Sequence, residues 1–383
     1  MILREKVFQE ILKSSAPICA LLGPRQCGKS TLAKEFQKKY KPKARYFDLE
    51  DPDDEAAFSN PKLLLDHLSG WVIIDEVQRA PQLFSYLRHL VDKNRKIRLL
   101  LLGSASPSLI QKSSETLAGR IHYIEMMPFS FGEVGEEKKL FLRGGFPRAF
   151  LAKNNSQANL WLKNYVKTYL EQDIANLGFS LNPQLLRKFW IMLADYGGQI
   201  FNASELSRNL GVNYKTVQSY VNLLENTFML RVLRPWFENI SKRQVKSPKI
   251  IFRDTGLMNF LLDISSLDEL SVSRKVGAIW ENFAIEQVIR KFGAEPQECY
   301  FWSSQSGAEI DLLIVRGKKK FAFEIKYSSK PKIEKSMLMA MESLQLKNLI
   351  VIVPGDANYK LSKQIEVFGI GKLIAQKHLK NLF

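Results

Sequence analysis

Cysteine is scarce in this 383-residue sequence. The three present, Cys19, Cys27 and Cys299, are odd in number and lack metal-ligand spacing, which argues against both a disulfide framework and a zinc cage. No apolar run approaches the ~18 residues that a membrane-spanning helix requires. The strongest, Leu99-Leu100-Leu101-Leu102, has the length of a buried strand. The opening residues MILREKVFQEIL interleave charges with apolar side chains and lack the unbroken apolar core of a signal peptide. These absences predict a protein of the reducing cytoplasm with no membrane partner. Acidic residues are in deficit too, 39 against 56 basic, for a net charge of +17. The excess is spread along the chain rather than held in one tail. A broadly basic surface suits a polyanion such as DNA, because each lysine near a phosphate releases condensed counterions; solubility alone is the competing explanation.

What is present begins with LLGPRQCGKSTL, residues 21–32. Gly23, four residues, then Gly28-Lys29-Ser30 is the spacing of a phosphate-binding loop. The apolar run Ile18–Leu22 precedes it, and a helical pattern starts at Thr31. Strand, glycine loop and helix together place Gly23, Pro24, Arg25, Gln26, Cys27, Gly28, Lys29, Ser30 and Thr31 around a phosphate chain, with backbone N–H groups from all of them but Pro24. Lys29 is expected on the β- and γ-phosphates and Ser30 on Mg²⁺.

A second element is WVIIDEVQ, residues 71–78: four apolar residues of a buried strand ending in two acids. Asp75 is the expected Mg²⁺ partner, and Glu76 the group that orients and polarises the attacking water. A third strand, 98–102, runs into Gly103-Ser104, which puts a small hydroxyl where it can sense the γ-phosphate or the water. ATP and Mg²⁺ are the predicted cofactors. The competing reading makes these acids and serines strand-end caps of an unrelated α/β domain.

Taken with LAGRIHYIEMMPFSFGEV and GGFPRAF, the stretches GPRQCGKST, WVIIDEVQRAP and LLLLGSASPSL resemble successive signatures of a group of bacterial and archaeal AAA-type ATPases. In that group the second half is a winged helix followed by a nuclease-like domain of unknown function. The resemblance spans nearly the whole chain. It implies ATP as the nucleotide, and it points to Arg120 as an arginine near the phosphates or a subunit interface. Read alone, Arg120 is a surface ion-pair partner.

Residues 156–177 show apolar side chains at helical spacing without glycine or proline, which predicts a long amphipathic helix. Its stripe Trp161, Tyr165, Tyr169 is expected to pack in a core. FNASELSRNLGVNYKTVQSYVNLLENTFML then has a helix-turn-helix layout, with Gly211 at the turn and Asn213 capping the second helix. MLRVLRPW and KSPKIIFRDT are the candidate wing. The open face of the second helix offers Asn213, Tyr214, Lys215 and Gln218, only one of them basic. Packing against a protein therefore competes with DNA binding.

Residues 309–315 and 320–327 alternate around Arg-Gly-Lys-Lys as a hairpin would. Either plausible turn sets Asp311 opposite Glu324, with Glu309 and Lys326 on the same face. Two facing carboxylates beside a lysine can hold Mg²⁺ for phosphodiester cleavage. The competing reading is an ion-pair cluster that holds a sheet and cuts nothing. The spacing resembles the nuclease core of restriction endonucleases, which implies a further glutamate from a preceding helix. Glu281 and Glu286 of GAIWENFAIEQVIRKF are the candidates, and Glu281 matches the position better.

The expected architecture is α/β and multidomain. A P-loop NTPase core with a parallel sheet covers 1–150, a helical linker and winged helix-turn-helix cover 151–245, and an α/β restriction-endonuclease-like domain covers 246–383. The expected function is a Mg²⁺-dependent ATPase that couples nucleotide state to a DNA-associated half. A regulatory switch that binds a protein partner, with an inactive nuclease-like domain, is the alternative. Oligomeric state stays open, because Arg120 could act within one chain or across to a neighbour.

Overall fold

The structure is a computed structural model that describes residues 2, 4–40, 44–106, 117–179, 181–237, 246–304 and 307–376. The end of the LLLLGSASPSL stretch, 107–109, lies outside the described residues. The chain forms two compact units: residues 1–128 with 226–228, and residues 129–225 with 229–383.

The first unit holds a five-stranded sheet of β1 (Ile18–Leu22), β2 (Ala44–Asp48), β3 (Gly70–Asp75), β4 (Ile97–Gly103) and β5 (Ile121–Glu125). The strand order is β2-β3-β4-β1-β5, and every pair is parallel. The three central strands are short apolar runs because a parallel sheet buries both of its faces. Ile18–Leu22 and Leu99–Leu102 are accordingly buried throughout. Helices Glu5–Lys13 and Lys29–Lys39 pack Phe8, Ile11, Leu32 and Phe36 on Leu21, Ile73 and Leu100. β4 inserts between β1 and β3. The carboxyl ends of the phosphate-loop strand and the Asp75 strand thus flank the carboxyl end of β4, a switch in strand order of the kind where α/β sheets bind ligands.

The second unit starts with helices. Asn155–Thr168 continues through a π-helical turn, Tyr169–Asp173, into Ile174–Asn176. The aromatic stripe is core packing: Trp161 stacks on Tyr165 at 5.1 Å, and Tyr169 meets the fully buried Trp190 at 5.3 Å. Helices Ala203–Leu210 and Tyr214–Asn226 follow Pro183–Tyr196. Gly211 turns between them at φ +68°, and the Asn213 side chain accepts the Thr216 N–H at 2.8 Å, capping the second helix.

An eight-stranded mixed sheet completes this unit: β6 (Leu230–Pro235), β7 (Lys249–Phe252), β8 (Cys299–Ser303), β9 (Glu309–Arg316), β10 (Lys319–Ile325), β11 (Leu349–Val353), β12 (Asn358–Lys360) and β13 (Ile365–Gly369). The order is β12-β13-β11-β10-β9-β8-β6-β7. The two strands expected as a wing, β6 and β7, do pair antiparallel, and β6 also pairs with β8. They therefore extend the carboxy-terminal sheet. Helix Lys335–Leu344 covers that sheet with Met337, Ala340, Met341 and Leu344. The β9–β10 hairpin has the expected register, from Arg316↔Lys319 to Leu312↔Phe323, with Gly317 at φ +59° in its two-residue turn.

Candidate functional site

The loop after β1 is shaped by two glycines. A Cβ on Gly23 would lie 2.0 Å from the Met126 carbonyl oxygen, and Gly28 sits at φ +104° ahead of helix Lys29–Lys39. Gln26 also has a positive φ of 59°. Cys27 is buried with its Sγ 3.1 Å from the Met126 carbonyl, and Arg25 reaches Glu50 at 2.6 Å. Lys29 is buried, and its Nζ donates to the Gly23 and Pro24 carbonyls at 2.9 Å each. The ammonium thus closes the loop on itself.

At the end of β3, Asp75 is buried and accepts the Tyr46 hydroxyl at 2.6 Å. Ser30 lies near enough to the same phenol to pull its proton affinity down, so Ser30 and Asp75 both border Tyr46. Burial and the Asp75 carboxylate push the Tyr46 phenol well above its ordinary range. Glu76 follows in the left-handed region, φ 54° and ψ 42°, a costly position for a side chain with a Cβ. Burial pushes its carboxyl up, against the pull of Lys29 and Arg25. Gln78 donates to Glu76 Oε2 and, from the same nitrogen, to Ser104 Oγ at 3.1 Å. Lys29, Ser30, Asp75, Glu76 and Ser104 are therefore brought to the carboxyl ends of β1, β3 and β4. Thr31 lies in the first turn of the helix.

Arg120 is not brought there. Its carbonyl accepts the Ile18 N–H at the amino end of β1, and its guanidinium grips Asp92 in two bonds of 2.6 and 3.0 Å. The five residues of β1 separate that edge from the phosphate loop, roughly 16 Å at ~3.3 Å per residue. The expectation of Arg120 near the phosphates of its own chain is corrected by the direction of β1 and β5.

In the second unit, Asp311 precedes Leu312, the last residue of β9 paired with β10, and Glu324 follows its partner Phe323. Asp311 Oδ2 accepts the Ile325 N–H at 2.8 Å, and Lys326 Nζ pairs with Glu324 at 3.1 Å and Glu334 at 3.1 Å. Glu281 joins this cluster through a residue that the hairpin pattern does not contain. Lys249, the first residue of β7, is buried and places its Nζ 2.9 Å from Glu281 Oε1 and 3.6 Å from Asp311 Oδ1, and it also pairs with Glu309. Burial alone would pull the Lys249 ammonium down; Glu281, Asp311 and Glu309 outweigh it and raise it. Burial pushes Glu281 up to about 7 and, with Asp311 adding to it, Glu324 up to about 9. Glu286, the other helix candidate, lies apart in a buried pairing with Arg231 and Arg253.

Three family models match successive stretches of the chain. Residues 15–135 match an AAA domain family, while 136–268 and 276–373 match two domains of unknown function. An uncharacterized protein of Mycobacterium tuberculosis is 42% identical over 353 residues, 91% of this chain and 79% of that protein; the Mycobacterium bovis protein matches at the same values. The chain belongs to their family. Its first unit is an AAA-type P-loop ATPase domain. Among solved structures, the Walker-type ATPase PABY2304 of Pyrococcus abyssi is 16% identical with a TM-score of 0.48, covering 68% of this chain and 96% of that one.

The donor set of the AAA-type unit fits a magnesium nucleotide: a glycine-shaped loop, one buried lysine, and Ser30 and Asp75 both bordering the Tyr46 phenol. The carboxylate cluster of the second unit does not fit a divalent ion as built. The Lys249 ammonium already stands among Glu281, Glu309 and Asp311. Among the described residues, no group of three or more His, Cys, Asp or Glu side chains is arranged to hold a metal.

Three residues of these sites carry no mark in the sequence. Tyr46 is an aromatic in an ordinary strand pattern. Gln78 sits inside the WVIIDEVQ stretch, and only the turn after Glu76 aims it at Ser104. Lys249 follows Ser-Pro in KSPKIIF, and only the pairing of β7 at the sheet edge brings it to Glu281.

Proposed function

We propose that the chain is a Mg²⁺-dependent ATPase in which the AAA-type unit hydrolyses ATP and the second unit is the output that nucleotide state controls. The observation that carries this reading is the convergence of Lys29, Asp75, Glu76 and Ser104 at the carboxyl ends of three adjacent strands. Lys29 would leave the Gly23 and Pro24 carbonyls for the β- and γ-phosphates, exchanging two neutral acceptors for anionic ones. Backbone N–H groups of residues 25–30 would hold the phosphate chain, and the Lys29–Lys39 helix would face it with its positive end. Ser30 and Asp75 would hold Mg²⁺, which supplies charge neutralisation between the phosphates. Glu76 would accept a hydrogen bond from the attacking water and orient it, and Ser104 would bind the water or the γ-phosphate.

The test is phosphate release from the purified full chain with Mg²⁺ and ATP. Glu76→Gln is expected to lose ~100-fold or more in kcat while ATP binding persists. Turnover that survives in Glu76→Gln at the wild-type rate would overturn the assignment of Glu76.

For the second unit we propose a binding role over strand cleavage, with Lys249 supporting that choice: the cation that cleavage by Asp311, Glu324 and Lys326 would need has a competitor in the chain itself. DNA, favoured by the net charge of +17 and the helix-turn-helix layout, is one candidate partner; a protein is the other. Partner-stimulated ATPase distinguishes them. Stimulation by duplex DNA that falls steeply with salt would assign DNA, and stimulation by no DNA at all would exclude it.

A further inference from the structure

We infer that Lys249 is the resident cation of the carboxylate cluster, an internal replacement for a metal ion that keeps divalent ions out of it. Four carboxylates, Glu281, Glu309, Asp311 and Glu324, meet at the edge of the eight-stranded sheet with two lysines among them. The two lysines are placed differently. Lys326 sits on the outer side, its side chain about a third exposed, and divides itself between Glu324 and the exposed Glu334. The Lys249 side chain is only 4% exposed and its ammonium has three donors. Three separate carboxylates surround it: Glu281 from the Val276–Phe292 helix, and Glu309 and Asp311 from β9. A compact cation with oxygen ligands from a helix and a strand is the task a divalent ion performs elsewhere. Here the chain supplies that cation covalently.

The position is built into the fold. Lys249 is in register with Leu233 of β6 and bridges to Ile200, so its backbone is fixed from two sides. Its ammonium also lies 5.7 Å from the centre of the buried Phe301 ring, a further favourable contact for a cation. Withdrawing the ammonium would leave buried carboxylates without compensation, which is costly. Beside it, Glu324 Oε2 is buried with no hydrogen-bond partner among the described residues. The cluster therefore has one buried carboxyl oxygen that neither lysine reaches, while Lys249 occupies the space among the other three carboxylates.

The test uses the full chain without nucleotide, titrated with Mn²⁺ near neutral pH, with free Mn²⁺ followed by electron paramagnetic resonance. Wild type and Glu324→Gln are expected to give the same curve, with no cluster site. Lys249→Met is expected to gain one site, at least about tenfold tighter than any in wild type, which Lys249→Met/Glu324→Gln loses. Should Lys249→Met fail to fold, Lys249→Met/Glu281→Gln removes one charge of each sign, keeps Asp311 and Glu324, and is expected to gain the site instead. A wild-type site that Glu324→Gln abolishes would overturn the inference. So would a folded Lys249 variant that binds no more Mn²⁺ than wild type.

Discussion

Gln78 Nε2 donates to Ser104 Oγ at 3.1 Å and to the carboxylate of Glu76 with the same nitrogen. The residue at the end of β4 and the residue after β3 are thereby tied into one unit, across a gap that neither spans alone. Whatever binds at Ser104 acts on Glu76 through Gln78. Gln78→Ala is expected to lower kcat for ATP hydrolysis by about tenfold, the scale of one lost positioning hydrogen bond, with KM changed less than about twofold. Steady-state phosphate release at saturating and limiting ATP checks the split. A rise in kcat would mark Gln78 as a restraint on Glu76 instead of a positioning residue.

Arg120 yields the opposite expectation. Its bidentate grip on Asp92 lies at the amino edge of the sheet and is exposed, so solvent screens it. Arg120→Ala is expected to leave phosphate release per chain within about twofold of wild type at every protein concentration, as for other exposed pairs. A loss of tenfold or more that deepens with concentration would show that Arg120 serves the phosphates of a neighbouring chain.

These two residues show where the sequence is legible. The phosphate loop, the strand-end acids and the β9–β10 register are local patterns: each depends on spacing within about ten residues, and the structure reproduces each spacing as geometry. Arg120 depends on which end of a strand it occupies. A motif cannot reveal that, because β5 pairs with β1, about a hundred residues earlier in sequence. Lys249 and Glu281 show the same limit. They are 32 residues apart, on a strand and a helix, and only the sheet edge brings them together. The wing strands were legible as a pair, but their junction with β8 is a long-range pairing that alternation does not encode.

Glu286 carries the last expectation. Burial pushes its carboxyl up, but the guanidiniums of Arg231, Arg253 and Arg290 outweigh burial and hold it down at about 2. A carboxyl depressed in the folded state stabilises the fold above its unfolded pKa, near 4.3, and that contribution disappears as pH falls toward 2. The shift corresponds to ~3 kcal/mol of acid-sensitive stability at one position. Glu286→Gln is expected to be destabilised at pH 7 by ~3–5 kcal/mol, because buried arginines lose their counter-charge. Its remaining stability should also fall less steeply than that of wild type between pH 4.5 and 2. Denaturant unfolding of both proteins across that range measures the two slopes. Equal slopes would mean that another carboxyl carries the acid transition, and that the Arg231–Glu286 pair is neutral in its net contribution.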